Sequence, residues 1–139
     1  TDTEKYITFF FGELNLSSLE LSFVNAGHNP PYLLRKSGEI EELSEGGILI
    51  GMMPDVKYSI GNCRLAQGDT LLLYTDGVTE TMTPDEEEYE EHRLKKFMLK
   101  NCPSKTPQEI NKILIDDLTT FAAGAQQSDD ITILTLKIL

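Results

Sequence analysis

The first two-thirds of the chain read as strands. Tyr6 to Phe11 is a mostly apolar run rich in aromatics. Leu19-Glu20-Leu21-Ser22-Phe23 alternates with period two, the mark of a half-buried strand. Tyr32-Leu33-Leu34 and Ile40 to Leu43 flank Ser37-Gly38, which predicts a hairpin. Val56, Tyr58 and Ile60 alternate with Lys57 and Ser59 and predict a further strand. The turn Gln67-Gly68-Asp69 leads into Thr70-Leu71-Leu72-Leu73-Tyr74, a leucine run that predicts a central strand buried on both faces.

The last third changes period. Leu94, Phe97 and Met98 make a short apolar stripe at i, i+3, i+4. Thr106-Pro107-Gln108-Glu109 is a capping box with proline at the first helical position. Ile110, Ile113, Leu114 and Phe121 continue it as one stripe, with Asp116 and Thr120 off it, and Gly124 is placed to end the helix. Ile131 to Leu139 closes the chain as a β-branched strand. Many antiparallel strands, two helices near the C-terminus and one final strand predict an α+β fold.

Composition narrows the function classes. The 139 residues amount to about one domain, 40% hydrophobic and 25% charged, with no internal repeat. The net charge of −11 argues against nucleic acid or anionic lipid as partner, because a strongly negative protein releases no counterions from either. No apolar run approaches the ~18 residues of a membrane span. Cys63 and Cys102 lack metal-ligand spacing and suit reduced thiols. With no signal-peptide pattern at the start, the expected location is the cytoplasm. The chain opens on Thr1 and not on Met, so a processed chain, or one cut from something longer, is expected.

Two acidic positions carry candidate chemistry. Asp76 lies just past the leucine-rich strand and precedes Gly77; Asp129 and Asp130 lie just before the final strand. If those strands are antiparallel neighbours, the end of one meets the start of the other and Asp76 faces Asp129. Adjacent carboxylates repel unless a cation neutralises them. A hard divalent ion, Mg²⁺ or Mn²⁺, is the natural partner for oxygen ligands. Spacing alone leaves an ordinary alternative open: a turn aspartate before glycine, and a capping aspartate.

The motifs around these residues are recognisable. Leu71-Leu72-Leu73-Tyr74-Thr75-Asp76-Gly77-Val78-Thr79-Glu80 and Gln127-Ser128-Asp129-Asp130-Ile131-Thr132 are two of them. Asn25-Ala26-Gly27-His28-Asn29-Pro30-Pro31 and Leu49-Ile50-Gly51-Met52-Met53-Pro54 fit the same pattern, in the right order over essentially the whole chain. Together they resemble the sporulation stage II E branch of the metal-dependent (PPM, type 2C) protein phosphatases.

The resemblance implies an α-β-β-α sandwich of mainly antiparallel strands with a two-metal site at one end of the sheets. It implies serine/threonine phosphatase activity on a phosphorylated protein, such as an anti-anti-sigma factor in a bacterial partner-switching pathway. Asp76 matches a ligand of one metal, and Asp129 a ligand of the same metal; Asp130 matches a position beside the ligands. The family's bridging aspartate, in a G-D-V-x-G-like motif, has no counterpart in this chain. The chain is therefore expected to be a C-terminal portion, residues 1–139 of a partial domain without its N-terminal strands and helices. It is expected to hold at most one Mg²⁺ or Mn²⁺ weakly, to be inactive alone and to self-associate. The alternative is a non-catalytic phosphatase-like module for binding or dimerisation.

Other residues take plainer readings. His28 is read as a hydrogen-bonding turn histidine, and His92 as solvated on a charged helix. The run Asp85 to Glu91, acidic except at Tyr89, is read as a solvated loop or first helical turn. Met52 and Met53 are expected to pack in the core or a loop.

Overall fold

A computed structural model describes residues 5–139. The chain divides into two compact units, one formed by residues up to 30 and 42–66, the other by residues 31–41 and 67–139.

The first unit is built on β2 (Glu20–Ala26). The strand β1 (Phe9–Leu14) pairs with it antiparallel along six residues, from Phe9 opposite Ala26 to Leu14 opposite Leu21. The first half of β2 also pairs antiparallel with β6 (Gly61–Arg64), and its last two residues pair in parallel with β5 (Gly46–Gly47). Leu21, Phe23 and Ala26 are buried. Phe23 covers Gly61 so closely that a Cβ there would lie 2.3 Å from the ring.

The second unit carries the sheet β4-β3-β7-β8. Its strands are β3 (Tyr32–Leu34), β4 (Ile40–Glu42), β7 (Thr70–Tyr74) and β8 (Ile133–Lys137). The hairpin between β3 and β4 closes through Arg35 N–H to Glu39 O and Gly38 N–H to Arg35 O, at the expected Ser37-Gly38 turn. The leucine-rich strand β7 is central, antiparallel to β3 on one side and to β8 on the other. Tyr32, Leu34, Leu72 and Tyr74 meet the helices α2 (Glu90–Asn101) and α3 (Pro107–Ala122) in one core with Leu94, Phe97, Met98, Ile110, Leu114 and Leu118.

Local signals explain the helices. The Thr106 side chain accepts from Glu109 N–H at 3.2 Å, and the Glu109 carboxylate accepts from Thr106 N–H at 2.8 Å. These bonds satisfy donors that the first turn leaves over, an arrangement worth about 1 kcal/mol. At the other end Ala123 takes a left-handed conformation and Gly124 follows at φ +88°.

The α+β class and the antiparallel strands are as expected, and several boundaries are not. The first strand runs over Phe9–Leu14, beyond the aromatic run Tyr6–Phe11. No strand forms over 56–60; pairing starts at Gly61, where β2 supplies the partner. The final strand is Ile133–Lys137, shorter than 131–139, and matches the five residues of β7 in register from Thr70–Lys137 to Tyr74–Ile133. Met52 and Met53 are 60% and 64% exposed in a turn segment, and not packed in a core. Both cysteines are free thiols. No helix of the described residues is long and apolar enough to cross a membrane.

Candidate metal centre

The site forms where β7 ends. Antiparallel pairing to β8 continues past Tyr74–Ile133 through Thr75 N–H to Thr132 O at 3.1 Å. The Thr75 hydroxyl accepts from Thr132 N–H at 2.9 Å and donates to Asp130 O at 3.1 Å. One side chain thus ties the residue before Asp76 to the residues after Asp129.

The chain then turns into the short helix α1 (Asp76–Thr79). Glu80 N–H donates to Asp76 O at 2.8 Å, and the Thr79 hydroxyl donates to the same oxygen at 3.2 Å. Gly77 sits against the 129–130 backbone: a Cβ there would lie 2.2 Å from Asp130 O. Only glycine permits the two segments to approach this closely. Across the gap, Asp129 is held from both sides. Its Oδ1 accepts from Asp130 N–H at 2.7 Å, and its carbonyl accepts from Gln127 Nε2 at 2.7 Å.

The result is a group of three carboxylates. Oxygens of Asp76, Glu80 and Asp129 all lie within 4.8 Å of one another, and all three residues are exposed. Asp76 and Asp129, the two candidate ligands, are brought together by the β7–β8 pairing. Glu80 is the addition that sequence reasoning missed. One helical turn brings position i+4 beside position i, so the Asp76–Glu80 spacing was a usable signal once a helix after β7 was recognised. Partial desolvation, then the neighbouring charges of Asp76, Glu88 and Asp129, raise the Glu80 carboxyl above its ordinary range. The Asp130 carboxylate is not in the group; its backbone serves the Thr75 clasp.

The donor set suits a hard cation. Three carboxylates offer oxygen alone, with room for retained water because the group is exposed, which fits Mg²⁺ or Mn²⁺ and not a thiolate-seeking metal.

Other singled-out residues lie elsewhere. The His28 backbone N–H donates to Asn25 Oδ1 at 2.8 Å, and the ring Nδ1 stands 2.9 Å from Asn29 O. A carbonyl only accepts, so Nδ1 carries the proton and the ring is a turn-fixing group, as read. His92 is exposed beside Glu90. In the acidic run, Glu87 pairs with Arg93, while Tyr89 is buried and donates its hydroxyl to Asp117.

The chain is similar to known proteins over nearly its whole length. It is 35% identical over 135 residues to protein IcfG of Synechocystis, which covers 97% of this chain and 21% of that protein. It is 28% identical over 137 residues to the phosphoserine phosphatase RsbU of Bacillus subtilis, covering 98% of this chain and 40% of that one. The fold matches the SiaA-PP2C domain of Pseudomonas aeruginosa with a TM-score of 0.79 at 23% identity, over 93% of this chain and 50% of that one. It matches the SpoIIE PP2C phosphatase domain with regulatory fragment from Bacillus subtilis with a TM-score of 0.76 at 23% identity, over 94% of this chain and 37% of that one. The chain thus spans between about a fifth and a half of these four proteins. The family model described as stage II sporulation protein E (SpoIIE) matches residues 1–139, and the chain belongs to that family.

Proposed function

We propose that this chain is part of a divalent-metal-dependent serine/threonine protein phosphatase domain, in which Asp76 and Asp129 hold one Mg²⁺ or Mn²⁺ and Glu80 stands beside them. The observation that carries this reading is the convergence of three carboxylates within 4.8 Å at the end of β7, in a chain of this family. The naming of RsbU and RsbP, two relatives from Bacillus subtilis, as phosphoserine phosphatases supports the reaction class.

Bound divalent cations in such enzymes supply an ionised water and a charge clamp on the phosphoryl oxygens. The chain's own residues do the positioning. Thr75 and Gly77 fix the distance between the two ligand-bearing segments, and Gln127 orients the Asp129 backbone. Phosphoryl transfer depends on such preorganised placement more than on covalent participation by the protein.

No G-D-V-x-G-like motif occurs in the 139 residues, so the ligand that would join two metals is not supplied from within them. Residues 1–139 therefore hold at most one cation, weakly, and lack turnover of their own. The substrate is a phosphoserine protein, of the anti-anti-sigma-factor kind that the family resemblance implies. A purely binding or dimerising module is the competing reading, and the clustered carboxylates weigh against it.

The test is Mn²⁺-dependent hydrolysis of a phosphoserine protein by the phosphatase domain completed with a bridging segment. Activity that disappears in Asp76→Asn and in Asp129→Asn is the expected result. A completed domain that binds the phosphoprotein but never turns it over would favour the binding module.

A further inference from the structure

A cleft of about 500 Å³ runs between α2 and α3 and shares no residue with the carboxylate group. Its floor is apolar: Phe97 belongs to the core, and Ile113 and Phe121 pack against that core while remaining partly exposed. Its rim is basic. Arg93, Lys96 and Lys100 stand at i, i+3 and i+7 of α2, which places them along one face of the helix.

This charge runs against the rest of the molecule. The chain has 23 acidic and 12 basic residues, yet three cations line this one cleft against a single acid, Asp117, whose carboxylate already accepts from the Tyr89 hydroxyl. A favourable helix dipole accounts for Lys100 in the last turn, but not for Arg93 and Lys96. Lys96 and Lys100 are exposed, and neither forms an ion pair among the described residues.

The occupant's chemistry is visible at one end of the cleft. The Glu87 carboxylate pairs with the Arg93 guanidinium, which also lies over the Phe121 ring at 4.8 Å. Here an acidic stretch of chain already meets the basic face of α2 beside an aromatic floor. Lys96 and Lys100 continue the same face for ~10 Å beyond Arg93 with no such partner of their own. We propose that the α2–α3 cleft docks an acidic segment of a partner protein, its carboxylates on Lys96 and Lys100 and an apolar side chain on the Ile113–Phe121 floor. A small anion would need converging donors that this open, apolar floor does not offer.

The test uses residues 1–139 and a short fluorescein-labelled peptide in which glutamates alternate with leucine and phenylalanine, followed by fluorescence anisotropy. Saturable binding that weakens with added salt is expected. Lys96→Glu/Lys100→Glu should lower the affinity at least ~10-fold, as expected for losing matched charge pairs at a docking surface. Lys5→Glu/Lys57→Glu, which changes the net charge equally but lies outside the cleft, should leave it within ~2-fold. A peptide with serine in place of leucine and phenylalanine should bind more weakly. Equal losses in both double variants would reduce the effect to net charge and overturn the proposal. So would absence of binding, tighter binding of single-stranded RNA than of the peptide, or a self-association that Lys96→Glu/Lys100→Glu abolishes. Circular dichroism confirms that the variants fold, as exposed lysines should allow.

Discussion

The Thr75 hydroxyl donates to the carbonyl oxygen of Asp130 over 3.1 Å, joining residues 55 positions apart in sequence. The Thr75 hydroxyl oxygen itself accepts from Thr132 N–H. This clasp sets the separation of Asp76 and Asp129 more directly than either carboxylate does. Valine keeps the shape of threonine and removes both bonds. Thr75→Val should cost about 1 kcal/mol of stability, because these exposed groups regain water. Metal affinity should fall ~10-fold, the usual scale for losing a group that orients ligands. Thermal melting and Mn²⁺ titration of the same sample check the two effects; an unchanged affinity would remove Thr75 from the site.

Gly77 tests the close approach itself. A Cβ at this position meets Asp130 O at 2.2 Å, and the opposing atom is backbone that cannot rotate away. Gly77→Ala should therefore destabilise the fold by ~1–3 kcal/mol and weaken Mn²⁺ binding, since relief requires the segments to part. Urea denaturation measures the first and calorimetry the second. A variant as stable as the parent would show that the 129–130 segment yields freely.

How much of this was legible in the sequence depends on the range of the interaction. The capping box of Thr106 and Glu109 was readable because both partners lie within one helical turn. The leucines of β7 announced a central strand because both faces are buried. The pairing of Asp76 with Asp129 followed from two motifs at the ends of two strands. The strand over 56–60 was misplaced because alternation there competes with tertiary pairing, and β2 instead recruits Gly61–Arg64, whose sequence has little strand character. Glu80 was missed because Asp76-Gly77-Val78-Thr79 carries no helical pattern, and only the helix makes Glu80 a neighbour of Asp76.

Alkaline stability reports the buried protons. Burial pushes the Cys102 thiol up to about 11, with Lys137 opposing in part, and burial also raises the Tyr89 hydroxyl, reinforced by its bond to Asp117. Both groups hold their protons more tightly folded than unfolded. Their contribution is complete below the unfolded values, near 9 for the thiol and 10 for the phenol, and is lost as pH rises. Urea midpoints should fall from about pH 9 upward, and Cys102→Ala should flatten the first part of that fall while lowering stability at neutral pH. An identical pH slope in the variant would mean that Cys102 ionises freely in the folded state.

Self-association is expected from the edge of the first unit's sheet. Phe9 and Phe11 on β1 are 47% and 54% exposed, beside Tyr6 and Ile7 at 65% and 61%. Among the described residues β1 stands at the end of its sheet's strand order, and an apolar edge strand is a template for further pairing. Light scattering of residues 1–139 should show mass rising with concentration, and Phe9→Ser/Phe11→Ser should reduce it. A monomer across a wide concentration range would show that this strand is not adhesive.

The central claim is that Asp76 and Asp129 grip one divalent cation. Titration of Mn²⁺ into residues 1–139, with free Mn²⁺ followed by its electron paramagnetic resonance signal, tests it without any need for turnover. A single weak site is predicted, lost in Asp76→Asn and in Asp129→Asn and weakened in Glu80→Gln, with the fold of each variant unchanged by circular dichroism. Undiminished Mn²⁺ binding by the double variant Asp76→Asn/Asp129→Asn would contradict the account, as would the absence of any binding by the parent chain.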